Sequence, residues 1–286
     1  MKKKVAMAWA PGNISCIFEI CRGRTPERTG SRGMGFTVDE GATVSVSRAP
    51  ATAVFYNNKK VDFPTVKLVI RRLTAKKVMV RISSDLPLGA GFGMSGASAL
   101  AAAYAINRLL KLRKGRKELA MAAHCAEVEA GTGLGDVVNQ SHGGLLVKFE
   151  PSWKFRVVRP KVEGARHVYC AWHGKMSTRN VLRNEKKERA INGAAEKALA
   201  MLREMLKKRM MERAPLPFAE IIGISKRFAE ESGLLRDRKM KSLIVGIEKR
   251  RGHASMIMLG NAVFSDIPFP GSVRLRISED KAKVLP

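Results

Sequence analysis

The most informative part of this chain is the segment Pro87-Leu88-Gly89-Ala90-Gly91-Phe92-Gly93-Met94-Ser95-Gly96-Ala97. Its three glycines alternate with other residues, and good helix formers follow, which predicts a helix from Met94 to about Lys111. Glycines let the backbone N–H groups approach an anion, and the positive end of the helix faces the same charge. The segment therefore predicts a phosphate-binding loop, with the Ser95 hydroxyl available to a phosphate oxygen or Mg²⁺.

The spacing of this loop excludes one large class of nucleotide-binding proteins. It does not follow the pattern GxxxxGK[ST], and no lysine comes directly after it, so a Walker-type NTPase is disfavoured. A glycine-rich turn before a helix also occurs for packing reasons alone. The loop by itself leaves that alternative open.

A second group of polar residues runs from His124 to Asp136 in the sequence HCAEVEAGTGLGD. Glu127 and Glu129 are two apart and cannot share a helix face, whereas His124 and Glu127 are three apart and can. One glutamate is therefore predicted to face inward with His124. Asp136 follows a glycine-rich turn that can present its carboxylate to a cleft. The structural alternatives are a cap or turn carboxylate for Asp136 and a solvated face for Glu127.

Bulk composition limits the class of protein. With 286 residues and 45% hydrophobic residues, the chain can form one large or two ordinary domains. Its four cysteines form no CxxC pair, which favours a reduced, cytoplasmic location. No apolar stretch reaches the roughly eighteen residues of a membrane span. The basic N-terminus leads into a short apolar run that we interpret as a first strand, and no membrane partner is expected.

The formal net charge of +28 is the most unusual bulk property. A basic protein often binds nucleic acid. Here the basic residues are spread along the whole chain, only 6% of residues are aromatic, and no recognised nucleic-acid motif is present. Nucleic acid is therefore a disfavoured partner, and the positive field would equally suit a charged substrate and a nucleotide.

The order of predicted elements indicates an α+β protein with two lobes. Patterning predicts strands at 4–10, 35–48, 77–83, 145–150 and 166–172, and helices at 94–111, 117–130, 185–212, 218–231 and 237–250. The candidate lobes are residues 1–155 and 156–286.

The phosphate loop resembles the second motif of the GHMP kinases, PxGxGLGSSAA. It keeps the proline, the three glycines, the second serine and the final alanine, while Phe92, Met94 and Gly96 depart from the pattern. The resemblance implies ATP and Mg²⁺ as cofactors. It also implies nucleotide contacts from Pro87, Gly89, Ala90, Gly91, Phe92, Gly93, Met94, Ser95 and Gly96.

The same resemblance implies roles for the polar residues. Ser95 and Glu127 would bind Mg²⁺, with Glu129 in reserve, and Asp136 would be the catalytic base for the acceptor hydroxyl. Ala10-Pro11-Gly12-Asn13 is similar to the first GHMP motif, although asparagine replaces the lysine of mevalonate-type members and the sequence is also a good turn. The counterpart of the third motif is residues 254–261, which keep one glycine.

The implied fold is the two-lobed GHMP kinase fold, with an N-terminal lobe like the second domain of ribosomal protein S5 and a ferredoxin-like C-terminal lobe. Within the superfamily, the chain resembles the archaeal pantoate kinases over nearly its whole length, with RTGSRG and TGLGD as the most specific strings. The implied reaction is ATP plus pantoate giving ADP and 4-phosphopantoate, a step toward coenzyme A. Two alternatives are a GHMP kinase for homoserine, shikimate or mevalonate, and a basic RNA-associated protein with an S5-like lobe.

Pantoate carries a carboxylate, so its site needs cations or N–H donors. The segment with Arg28, Ser31, Arg32 and Gly33 can supply them, because guanidinium binds carboxylate bidentately. By resemblance the substrate-side residues also include His124, Lys148 and Thr178; Lys148 stands where arginine is expected. Each of these positions also has a purely structural explanation. Family members often form dimers, so a homodimer is the assembly that the resemblance allows.

Overall fold

The computed structural model describes residues 4–164, 166–174, 176, 178–182 and 184–286, so the basic residues at 1–3 lie outside it. Its strands are β1 (Val5–Cys21), β2 (Gly30–Arg48), β3 (Ala53–Tyr56), β4 (Lys59–Lys60), β5 (Val78–Ser83), β6 (Leu145–Lys148), β7 (Val162–Glu163), β8 (His167–Gly174), β9 (Leu216–Pro217), β10 (Ala254–Met256), β11 (Asn261–Ser265), β12 (Val273–Arg276) and β13 (Lys283–Leu285). Its α-helices are α1 (Pro64–Leu73), α2 (Met94–Leu110), α3 (Arg116–Ala130), α4 (Asp136–His142), α5 (Thr178–Leu182), α6 (Glu185–Met211), α7 (Phe218–Glu231) and α8 (Arg238–Lys249).

The predicted strands and long helices are confirmed, and most boundaries agree within one or two residues. The first two strands extend much further than expected, since β1 reaches Cys21 and β2 begins at Gly30. Helices α1, α4 and α5 and the strands β3, β4, β7 and β9–β13 were not predicted from the sequence. Helices α4 and α5 have only seven and five residues and are stabilised by packing in the fold, whereas α1 has ten residues and a distinct buried face that includes Val66, Val69 and Ile70.

The larger sheet is built around the β1–β2 hairpin. Its strand order is β13-β1-β2-β5-β3-β4, and β6 pairs with β2 beyond the end of β5. All pairings are antiparallel except that of β3 with β5. Helix α2 packs on β1 and β2, while α1 and α3 pack against α2. The alanine-rich sequence of α2 is almost wholly buried, because small side chains allow close contact with both the sheet and the neighbouring helices.

Strand β1 contains two register shifts in its pairing with β2, close to residues of the functional site. They fall between Pro11 and Gly12 and between Ser15 and Ile17, so they flank Asn13 and Ser15. A β-bulge redirects the side chains around it. The alternative interpretation of Pro11-Gly12-Asn13 as a turn is wrong, because the segment continues in strand β1.

The second sheet comes entirely from the latter part of the chain, in the order β10-β11-β8-β12. Its core joins that of the first sheet at Phe36 of β2, whose ring makes edge contacts with Phe218 of α7 and Phe264 of β11, each with centroids 5.7 Å apart. Strand β13 returns to the first sheet and pairs with β1. The division at residues 155 and 156 stays a prediction.

Across the ranges that the structure describes, no helix combines the length and apolar character needed to cross a bilayer. The four cysteines, Cys16, Cys21, Cys125 and Cys170, are all free thiols.

Candidate active site

The predicted phosphate loop connects β5 to the N-terminus of α2. Gly89, Gly91 and Gly93 have φ angles of 86°, 95° and 61°, in the left-handed region where glycine avoids the strain of a Cβ. Gly93 immediately precedes α2, whose first N–H groups have no helical partner. The loop thus has the geometry of an anion site at the start of a seventeen-residue helix.

A cavity of about 580 Å³ opens beside this loop. Its wall includes parts of β1, the start of α1, residues 130–136, Lys148 of β6, α5 and the turn after β10. Among the described residues that line it, the acidic side chains are Asp62 and Asp136 and the cationic side chains are Lys148 and Arg179. The cavity therefore offers both a carboxylate and cations within reach of the phosphate loop.

Three hydroxyl groups meet at one side of the cavity. Ser95 Oγ lies 2.9 Å from Thr65 Oγ1 and donates to Thr132 Oγ1 at 3.1 Å, while the two threonine oxygens are 3.1 Å apart. The three residues come from α1, α2 and the loop after α3, and all line the cavity. Each hydroxyl keeps acceptor capacity, so together they form an oxygen-rich surface beside the phosphate loop.

Glu127 of α3 is fully buried, which excludes the solvated-face alternative. Both of its carboxylate oxygens, and Oε1 of Gln140, lack a hydrogen-bond partner within the described part of the chain. A Cβ on Gly96 would lie 2.8 Å from Glu127 Oε2 and 2.9 Å from Gln140 Oε1, so both oxygens lie close to the first turn of α2. Burial raises the pKa of Glu127 well above its ordinary value, and the negative charge of Asp136 raises it further. This cluster of unpaired oxygens would favour a cation.

Glu129 occupies a different environment from Glu127. Its side chain is 32% exposed and forms an ion pair with Arg72 on the protein surface. Glu127 is therefore the better placed of the two glutamates for a metal ion near the phosphate loop.

Asp136 is the first residue of α4, and its half-buried carboxylate reaches the cavity. The glycine-rich turn precedes it directly, and the first helical position leaves the side chain free to point into the cavity. Asn13 Nδ2 donates to Asp136 Oδ1 at 2.7 Å and Ser15 Oγ donates to it at 3.1 Å. Burial raises the pKa of Asp136, while the cation of Lys148 and these two hydrogen bonds oppose that rise.

Residues 254–261, the counterpart of the third motif, pack directly on the phosphate loop. A Cβ added to Gly260 would lie 2.0 Å from the carbonyl oxygen of Ala90 and 2.7 Å from the backbone nitrogen of Gly91. The Met258 N–H donates to the Ser15 carbonyl of β1 at 3.2 Å. Although the segment keeps only one glycine of its motif, it supports the loop and contributes Met258 and Leu259 to the cavity wall.

Comparison with known proteins agrees with this geometry. Residues 60–144 match the model of the GHMP kinases N terminal domain. Over 260 residues the chain is 34% identical to the pantoate kinase of Methanocaldococcus jannaschii, and the match covers 90% of each chain. This chain belongs to the GHMP kinase family. Its fold is the GHMP kinase fold, and membership implies ATP as the phosphoryl donor.

Two further comparisons differ in how much of this GHMP kinase they cover. A solved structure described as a phosphotransferase related to the CoA biosynthesis pathway superposes with a TM-score of 0.80 at 25% identity, covering 98% of both chains. The homoserine kinase of Sulfolobus acidocaldarius is 34% identical over only 94 residues, or 30% of this chain and 31% of that relative.

The nine residues with predicted nucleotide contacts separate into those that line the cavity and those that do not. Gly89, Gly91, Gly93, Met94 and Ser95 line the cavity of this GHMP kinase. The other four, Pro87, Ala90, Phe92 and Gly96, are not among the lining residues. Phe92 instead packs edge-on against Trp172, with ring centroids 5.5 Å apart, and so fixes the loop against β8.

The predicted substrate-side residues of this GHMP kinase separate into two groups. Ser31, Lys148 and Thr178 line the cavity. Arg28, Arg32, Gly33 and His124 do not. Arg32 instead forms a bidentate ion pair with Glu19, at 2.8 and 2.5 Å.

His124 is buried in the protein interior and does not line the cavity. It is fully buried, and its Nε2 lies 2.9 Å from the carbonyl oxygen of Thr29. Burial lowers the pKa of His124 to about 4, so the imidazole is neutral near pH 7 and donates this hydrogen bond. It can therefore hold the segment before Ser31 in position without offering a positive charge to a substrate.

Sequence reasoning missed several polar residues at the site. Asn139 was not singled out because it lies in a seven-residue helix that periodicity does not reveal. Thr65 was missed because α1, the helix that contains it, was not predicted. Arg179 follows the predicted Thr178 directly, and only the folded chain shows that it reaches the cavity.

Proposed function

We propose that this GHMP kinase transfers the γ-phosphoryl group of ATP to the primary hydroxyl of pantoate, giving ADP and 4-phosphopantoate for coenzyme A biosynthesis. The observation that carries the proposal is the extent of similarity. The match to a pantoate kinase spans nine-tenths of both chains, whereas the match to a homoserine kinase spans about a third. A small cavity with two cationic side chains suits a short hydroxy acid.

The nucleotide phosphates bind at the glycine-rich loop. The free N–H groups at the start of α2 and the positive end of the helix dipole stabilise their negative charge. No lysine follows the loop, so backbone donors carry most of this interaction. The Ser95, Thr65 and Thr132 hydroxyls add oxygen and O–H groups on the side facing α1.

Mg²⁺ fits the residues beside the loop. Glu127 offers two unpaired carboxylate oxygens and Ser95 offers a hydroxyl, and a hard cation prefers such oxygen ligands. These two residues would hold the ion, which would neutralise charge on the transferring phosphate. Without a cation, the raised pKa of Glu127 favours its protonated form.

Asp136 receives the proton of the acceptor hydroxyl. Within the described residues, both side-chain hydrogen bonds that it accepts reach Oδ1, which leaves Oδ2 for the acceptor. In phosphoryl transfer the proton leaves late and most catalysis comes from positioning, so a strong base is not required. Orientation of the carboxylate is therefore the main requirement on Asp136.

The carboxylate of the acceptor needs a cation that is not already committed. Lys148 is buried and already donates to Gly135 O and Asn139 Oδ1. Arg179 donates from Nε and Nη2 to the Ala130 carbonyl, and with respect to the described residues this leaves Nη1 and one further N–H available. Arg179, with Thr178 and Ser31, is therefore the acceptor site that we favour over Arg28 and Arg32.

The proposal extends to the cellular location and the oligomeric state of the enzyme. A cytoplasmic location suits the four free thiols, since reducing compartments keep cysteines unpaired. A homodimer remains a prediction from the family resemblance.

An ADP-release assay across hydroxylated acids tests the acceptor. Pantoate, homoserine, shikimate and mevalonate are compared at equal concentration with ATP and Mg²⁺, and the phosphorylated product is identified by mass spectrometry. We expect kcat/KM for pantoate to exceed each of the others by at least about a hundredfold, because a site built for one pattern of polar groups rejects others strongly. A higher value for another acid would replace pantoate, and activity with none would reject the proposal.

A further inference from the structure

A chain of three hydrogen bonds, the first two of them buried, connects Lys148 to Asp136. Lys148 Nζ donates to Asn139 Oδ1 at 2.8 Å, Asn139 Nδ2 donates to Asn13 Oδ1 at 2.9 Å, and Asn13 Nδ2 donates to Asp136 Oδ1 at 2.7 Å. The side chains of Asn13, Asn139 and Lys148 are no more than 4% exposed. The chain crosses from β6 to α4 to β1 and back to α4, so it depends on the tertiary fold.

The groups at the two ends, a lysine that only donates and a carboxylate that only accepts, impose the same direction on every hydrogen bond in this chain. Lysine has donors only, so Asn139 must turn its oxygen toward Lys148 and its N–H toward Asn13. Asn13 then accepts with its oxygen and presents its N–H to Asp136. If either amide rotated by 180°, two donors or two acceptors would face each other. Through Asn139, Lys148 thus supports the orientation of the Asn13 amide that Asp136 requires.

The surrounding backbone is arranged to hold this chain. Lys148 Nζ also donates to the Gly135 carbonyl at 3.1 Å, directly before Asp136. A Cβ on Gly35 would lie 2.9 Å from Asn139 Nδ2, so glycine at that position of β2 makes room for the amide. Because linked hydrogen bonds polarise one another, the charge at Lys148 strengthens the final bond to Asp136.

We propose that Lys148, Asn139 and Asn13 form a hydrogen-bonded relay that orients the Asp136 carboxylate toward the acceptor hydroxyl. Lys148 is then a positioning residue that acts through two asparagines. This assignment differs from the role suggested by family resemblance, in which Lys148 contacts the substrate. It rests on the proposed role of Asp136 in phosphoryl transfer.

Asn139→Asp tests the relay with almost no change in shape. The new carboxylate still accepts from Lys148 but has no N–H for Asn13, so the Asn13 amide now lies between two carboxylates and its oxygen opposes one of them in either orientation. Lys148→Met breaks the chain at its other end with a similar side-chain volume. We expect each variant to lower kcat about 10- to 100-fold, with the pantoate KM within about twofold of wild type.

The double variant separates a relay from two independent effects. If the residues act as one unit, Asn139→Asp combined with Lys148→Met lowers kcat little more than either change alone. Asn184→Asp is the matched control, because aspartate is an equally good N-cap for α6 and the site is not in the cavity wall. Melting temperatures identify any variant that fails to fold, and the remaining single variant then still tests its own end of the chain.

Three results would overturn the relay. They are wild-type kcat in Asn139→Asp, a raised pantoate KM with unchanged kcat in Lys148→Met, and additive losses in the double variant. Failure of the proposed function is a separate outcome, since it appears in the wild-type enzyme as absence of pantoate phosphorylation. In that case the variants are measured with the acceptor that the hydroxy-acid comparison identifies.

Discussion

The side-chain amide of Asn13 donates a 2.7 Å hydrogen bond to Asp136, although 123 residues separate them in the sequence. This contact joins the first strand to the first residue of α4. Asp136, which we assign to the acceptor hydroxyl, is therefore held by strand β1. The β-bulges of that strand were not predicted from the sequence.

Asp136→Asn should separate nucleotide binding from turnover. The change preserves shape but removes the proton acceptor and one negative charge, so we expect kcat to fall about 10²- to 10⁴-fold. Affinity for ATP, measured by calorimetry, should stay close to wild type because the phosphate loop is unchanged. Near-wild-type turnover in a preparation that binds ATP normally would remove Asp136 from the mechanism.

Glu127→Gln should weaken function and increase the stability of the metal-free protein. Burial raises the pKa of Glu127, so the folded state retains a proton that the unfolded chain loses above about pH 4.5. Stability therefore decreases as the pH rises from that value toward the folded-state pKa. The neutral amide removes this penalty, so the variant should melt above wild type at pH 7 and show a smaller difference near pH 4.

Glu127→Gln should also raise the magnesium concentration that turnover requires. We expect lower turnover that added Mg²⁺ partly restores. Glu129→Gln is the control, because Glu129 is partly exposed and paired with Arg72. That control should show neither the stabilisation nor a loss of turnover that added Mg²⁺ restores. Equal behaviour of the two variants would contradict the metal assignment of Glu127.

Arg179→Ala should raise the pantoate KM while leaving the ATP KM nearly unchanged. Loss of a hydrogen-bonded guanidinium–carboxylate contact costs about 1.5–3 kcal/mol, or roughly 10- to 100-fold in affinity. Arg32→Ala is the comparison, since Arg32 pairs with Glu19 and does not line the cavity. A larger effect on pantoate from Arg32 than from Arg179 would restore the segment predicted from sequence as the acceptor site.

Gly260→Ala should displace the phosphate loop. The added Cβ meets the backbone of Ala90 and Gly91, which cannot move without changing the loop. We expect ATP affinity to fall at least about tenfold, with about 1–3 kcal/mol lost in stability from overpacking. Gly223→Ala is the control, because a Cβ there in α7 meets nothing within 4 Å. It should stabilise the protein by about 0.5–1 kcal/mol with unchanged ATP affinity; the same result for Gly260→Ala would show that the contact is unimportant.

The sequence predicted local features better than contacts between distant parts of the chain. The prediction of α2 and of the glycine-rich turn before it follows from helix propensity and glycine spacing over neighbouring residues, and the structure confirms both elements. The inward position of His124 and Glu127 followed from helical spacing, and both are buried. By contrast, the choice among Arg28, Arg32 and Arg179 depends on which side chains reach the cavity, and no local pattern encodes that. Asn139 is likewise meaningful only because β1 and β6 place Asn13 and Lys148 on either side of it.

The contact between Gly260 and the phosphate loop bears on how parts of such enzymes could be exchanged. The loop lies within the matched region 60–144, but its backbone rests on a turn more than a hundred residues further along. A chimera that imported only the loop and its helix from a relative would place a foreign backbone against an unchanged turn. Grafting for altered nucleotide preference would therefore have to transfer residues 257–260 together with the loop, and variation at the two positions is expected to be correlated.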